Sequence, residues 1–221
     1  MKKVTTGKEK QATYKAEYSR YKKANDQGFY LEGLVIGYAI IEDRLVAFLH
    51  YCGIVSRDKD NLEINKPVYP FIRVLLNKPE NSTIKVKDIR VKMDIIQSLL
   101  KLDIESAQRI DEETKAIIDK QNEGKKRKTR FINGYMPALQ KKMDNLNRDD
   151  LLVILSKDLE SWRLERNTII HALLNQKIDG IFKATKELSK QGYDLTRKLD
   201  DKLVDPVKKK GTNIRKKFNI Q

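Results

Sequence analysis

The chain has 221 residues, with 46 Lys or Arg against 31 Asp or Glu, for a formal net charge of +15. Such a surplus points toward polyanions, chiefly nucleic acid or an anionic membrane face, although a merely basic solvated surface has the same composition. Cys52 is the single cysteine, which excludes an intrachain disulfide and fits a reducing cytosol; with His50 and His171 the only histidines, no zinc-ligand set has usual spacing.

Gly and Pro are few, at 10 and 5, so long helices are favoured over many short strands. Residues Met1 to Lys8 carry charge with no apolar run behind them, so no signal peptide is expected. The first predicted helix, about Lys8 to Asn25, places Tyr14, Tyr18 and Tyr21 at helical spacing, a packing stripe rather than a base-stacking platform. Asp26-Gln27-Gly28 ends it. The second, about Phe29 to Cys52, aligns Leu31, Leu34, Val35, Tyr38, Ile41, Leu45, Phe48 and Leu49 on one stripe. Its charges, Glu32, Glu42, Asp43 and Arg44, make it unsuited to crossing a membrane. Glu42 interrupts the stripe and needs a partner there. Gly33 and Gly37, one turn apart, either admit a close helix or are tolerated defects.

Gly53 closes that helix. Residues 56–83, with Pro67, Pro70 and Pro79, read as an irregular connection holding one short helix near Phe71 to Leu76. Ser82-Thr83 offers a cap for the next helix, which bears Ile89, Met93, Ile96, Leu99 and Leu100; Ile84 and Val86 alternate as in a weak strand. A short helix is predicted from Asp111-Glu112-Glu113. It fades into the basic loop 124–130, where Lys125, Lys126, Arg127, Lys128 and Arg130 are candidate phosphate contacts or simply a solvated run. Tyr135-Met136-Pro137 reads as a break. A long helix is predicted from Asp149 or Asp150 to Asn175, and a last one from Ile178 to Leu203, ended by Pro206. The division is one helical domain over 1–205 and a mobile basic tail over 206–221.

The helix from Asp149 to Asn175 carries the chemistry. Leu155, Leu159, Trp162, Ile169 and Leu173 form its apolar stripe, and Arg166 breaks it. A guanidinium in such a place requires an acid, an anionic ligand or a subunit boundary, and Glu42 is an obvious partner. Asn167 and His171, four apart, share another face with Leu164 and Leu174. Arg166 and His171 are five apart, so their directions differ by about 140°. One helix alone is therefore not a compact site; two copies facing each other would supply one. Histidine, arginine and an amide suffice to cleave RNA without metal. The 2′-hydroxyl is the nucleophile, His171 moves a proton, and Arg166 stabilises the charge developing on phosphate. On spacing alone the pattern is also that of a surface arginine and an ordinary histidine.

Arg166-Asn167-Thr168-Ile169-Ile170-His171 resembles the Arg-x4-6-His motif of the HEPN superfamily, with the frequent Asn after the Arg. The helix from Tyr30 through Leu45 is similar to the opening core helix of these domains. The resemblance implies an all-α antiparallel bundle, usually homodimeric, with the motifs of both subunits facing one cleft. Many members are metal-independent endoribonucleases acting as toxins, abortive-infection factors or parts of antiviral systems in the cytoplasm. Carried over, Arg166 and His171 take the catalytic roles, Asn167 supports them, and Glu42 matches an often acidic or polar position of the first helix. No cofactor is implied; RNA, a second copy and an antitoxin or defence-system protein are the implied partners. His171-Ala172-Leu173 departs from the His-x-Tyr of the nucleotidyltransferase-paired branch. The competing expectation is a catalytically silent helical module that binds RNA or a protein partner. A membrane-surface role through the tail has only Ile214, Phe218 and Ile220 to insert.

Overall fold

The computed structural model describes residues 7–56, 62–79, 82–121, 129–173, 178–209 and 213–218. The fold is all-α. Its helices are α1 (Gly7–Asp26), α2 (Tyr30–Tyr51), α3 (Tyr69–Leu75), α4 (Ile89–Leu100), α5 (Ile104–Gln121), α6 (Thr129–Met143), α7 (Arg148–Val153), α8 (Glu160–Ala172), α9 (Ile178–Leu199), α10 (Asp205–Lys209) and α11 (Ile214–Phe218). Among the described residues the strands are β1 (Val55–Ser56) and β2 (Glu63–Ile64), antiparallel with Val55 opposite Ile64. No helix of the described residues is long and apolar enough to cross a membrane.

Several boundaries differ from the sequence expectation, each for a local reason. The cap of α4 is Asp88, whose carboxylate accepts the Arg90 N–H at 2.9 Å, not Ser82-Thr83. The segment before it forms neither helix nor strand: the Tyr69 hydroxyl donates to the Ser82 carbonyl at 3.0 Å and accepts the Ile84 N–H at 2.9 Å. Helix α5 begins at Ile104 rather than at Asp111. The Asp103 carboxylate, just ahead of it, accepts the Ser106 N–H at 2.7 Å and opens the helix there. Ala107, Ile110, Thr114 and Ile118 form its buried face, an apolar pattern too sparse to mark the first two turns in the sequence. Pro137 lies inside α6 at the loss of one backbone hydrogen bond. Burial of Tyr135, Met136, Ala138, Leu139 and Met143 around it outweighs that loss. Pro206 does not end the last helix either. It stands in the first turn of α10, where its missing N–H is not needed.

The chain divides into two compact units, Met1–Glu42 with Lys157–Lys198, and Asp43–Ser156 with Leu199–Gln221. In the first, Tyr21 is fully buried with Ile36 and Ile40, and Tyr18 and Tyr193 pack against them. The Tyr21 hydroxyl donates to the Ser189 carbonyl at 2.6 Å, and the Trp162 indole donates to the Leu188 carbonyl at 2.8 Å. Both polar tips are thus satisfied inside the core. Gly37 and Gly192 leave the space that Tyr21 fills, so the α2 glycines admit a close neighbour and are not defects. This packing turns α2: Gly33, Leu34, Ile36, Gly37, Ile40 and Ile41 are buried, while Leu31 and Val35 of the expected stripe face outward.

In the second unit α3 packs on α4 and α5, and α6 packs on α5, α10 and α11. Tyr135 sits edge-on to Phe71 and Phe218 and donates its hydroxyl to the Cys52 carbonyl at 3.0 Å. Cys52 is buried, as its place at the end of an apolar helix implies, and burial pushes its thiol up to about 12. Part of the expected basic tail is built into this unit as α10 and α11. Val207 and Ile214 are fully buried there, and Lys142 donates to the Val207 carbonyl at 2.6 Å.

Candidate active site

Arg166, Asn167 and His171 all stand on α8, which a π-helical stretch over Ile154–Leu159 precedes. Leu159, Trp162, Ile169 and Ala172 bury one face of that region. Leu173, expected on the same stripe, is exposed at the helix end, and Leu174 lies outside the described residues.

Arg166 is half-buried. Its guanidinium carbon lies 4.3 Å from the centroid of the Tyr38 ring, and Nη1 donates to Asn167 Oδ1 at 3.2 Å. Its Nε is buried without a hydrogen-bond partner among the described residues. The expected Glu42–Arg166 pair is therefore not what holds this arginine: an aromatic face does. Tyr38 and Glu42 are one turn apart on α2, and the ring is the group that reaches Arg166. Two acids of α8 are engaged elsewhere, Glu160 with Arg163 at 2.9 Å and Glu165 with the Ser161 hydroxyl at 2.9 Å. A π face and an amide oxygen orient a guanidinium without cancelling its charge.

His171 is exposed in the last turn of α8. It lies about 7.5 Å along the axis from Arg166, from five residues at helical rise. Asn167 is half-buried and committed to Arg166, so the amide positions the arginine. Near the end of α8, a groove of about 340 Å³ is lined by Phe29, Leu31, Leu173, Ile181 and Phe182. Of its lining, Phe29 and Phe182 are 58% and 53% exposed, so these apolar side chains stand largely open.

Tyr38 is the neighbour of the site that sequence reasoning placed in the core. The signal for it was its place as the only tyrosine in an otherwise apolar stripe that also holds Glu42. Lys125, Lys126, Arg127 and Lys128 lie outside the described residues, as does the side chain of Arg130 in the first turn of α6. Among the described residues no cluster of three His, Cys, Asp or Glu side chains could hold a metal ion. Comparison with family models, with curated proteins and with solved structures found no match.

Proposed function

We propose that the chain is a metal-independent endoribonuclease of the HEPN type, acting as a cytoplasmic homodimer in a toxin or antiviral system. The observation that carries this reading is Arg166, held on the Tyr38 ring and Asn167 with no carboxylate on it among the described residues. Its charge is left for a phosphate.

In the reaction the ribose 2′-oxygen bonds to phosphorus and the 5′-oxygen leaves. One histidine takes the 2′-hydroxyl proton, and a second protonates the departing oxygen. One chain offers a single exposed candidate in this unit, His171, so the second would be His171 of another copy. The apolar groove beside the end of α8 supports a second copy as its cover, since burying it would bring two motif helices together. Arg166 would stabilise the charge gathering on the phosphate oxygens.

The test is incubation of wild type, His171→Ala and Arg166→Ala proteins with total RNA in EDTA, with product ends mapped. Cleavage giving 2′,3′-cyclic phosphate ends in wild type alone is the expected result, with all three proteins folded. Undiminished cleavage by pure His171→Ala protein sinks the reading. The exposure of His171, with no orienting partner among the described residues, favours one second reading: a catalytically silent module that binds RNA or a protein partner. It predicts salt-sensitive binding that survives both substitutions, with no turnover.

A further inference from the structure

The second unit holds a cleft of about 640 Å³ between the end of α3, the segment 82–85 and the outer face of α4. Three exposed lysines line it: Lys78, Lys85 and Lys101. Each is placed by backbone structure. After α3 the chain turns through Asn77 at φ 49°, with the Asn77 N–H on the Val74 carbonyl and the Lys78 N–H on the Arg73 carbonyl, both at 2.9 Å. That paired closure of a helix end fixes where Lys78 leaves. Lys85 lies on the segment clamped by Tyr69, between half-buried Ile84 and buried Val86. Lys101 follows the last turn of α4.

None of the three ammonium groups has a carboxylate partner among the described residues. Asp94, the one acid in the lining, is 3.2 Å from Arg90. Thr83 and Ser98 add hydroxyls. Three like charges with no carboxylate partner among the described residues, set around a concave surface, focus a positive potential inside it. Among the described residues the lining contains no aromatic side chain to serve as a platform for stacking a base. The chemistry selects phosphates and ignores base identity.

We propose that this cleft holds the sugar–phosphate backbone of single-stranded RNA, as a sequence-independent contact separate from Arg166 and His171. This rests on the reading of RNA as the substrate. The experiment measures binding of a labelled single-stranded RNA across salt concentrations, in the His171→Ala background so that the strand survives. The variants are Lys78→Ala/Lys85→Ala/Lys101→Ala and, as a charge-matched control, Lys15→Ala/Lys22→Ala/Lys23→Ala on the exposed surface of α1. Three lost phosphate contacts at about 0.7 each lower the log–log salt slope by about 2. Between about 50 and 200 mM salt the parent then loses roughly 15–20-fold more affinity than the cleft variant. The control variant keeps the parent slope. Equal loss in both triple variants, or none in the cleft variant, overturns the proposal. Displacement of the RNA by micromolar ATP overturns it too, because the cleft would then be a mononucleotide site. RNA binding with the expected slope change but no cleavage by the unmutated protein upholds the cleft and removes the enzyme reading alone.

Discussion

Replacing Gly192 by alanine should destabilise the protein, although alanine is the better helix former by about 1 kcal/mol. A Cβ there would lie 2.7 Å from the Tyr21 hydroxyl oxygen and 2.9 Å from Trp162 Cζ2. Neither is the loose end of a flexible chain: both side chains are buried, and each donates a hydrogen bond to a carbonyl of α9. Moving either ring strains the core by about 1–3 kcal/mol. Losing one buried hydrogen bond adds roughly 1 kcal/mol. The net expectation is a loss of about 1–3 kcal/mol after the gain in helix propensity. The assay is urea unfolding of Gly192→Ala, Tyr21→Phe and the double variant. Removing the Tyr21 oxygen relieves the closest clash, so the double variant should be more stable than additivity allows, by about 1 kcal/mol. A neutral or stabilising Gly192→Ala, or strict additivity, refutes the packing argument.

On the proposed endoribonuclease function, Tyr38→Ala should lower the turnover of RNA about tenfold while Tyr38→Phe retains it, because an aromatic face under a guanidinium is worth about 1–2 kcal/mol when partly desolvated; single-turnover cleavage at saturating RNA checks this. The Cys52 thiol has its folded pKa raised to about 12 from 9.0 by burial, and burial raises Tyr135 in the same direction. Their contribution to stability is fully present below about pH 9 and lost as the pH climbs toward about 12. Urea midpoints should therefore stay level up to about pH 9 and fall above it, less steeply for Cys52→Ala; parallel curves for the two proteins would refute the assignment.

Helices with dense apolar spacing are legible because their pattern repeats with the 3.6-residue turn. The face of α4 that carries Ile89, Met93, Ile96, Leu99 and Leu100 is buried as its spacing predicts. Local signals mislead where tertiary contacts outweigh them. Pro137 and Pro206 look like stops, yet burial around one and the first-turn position of the other keep both in helices. The end of the chain reads as a solvated basic run, but its sparse apolar residues Val207 and Ile214 are enough to dock it on α6.

The candidate site divides the same way. That Arg166 breaks an apolar stripe, and that Asn167 and His171 share a helix face, follow from residue type and helical pitch with no knowledge of the fold. The partner of Arg166 does not. A carboxylate was the obvious candidate by charge, but which residue of α2 meets α8 depends on how α2 is turned. The buried Tyr21 filling the space beside Gly37 sets that turn, which directs Tyr38 to the guanidinium and leaves Leu31 and Val35 outward. The helix that carries the motif is thus a local property of the chain, and the aromatic partner of Arg166 is a consequence of packing.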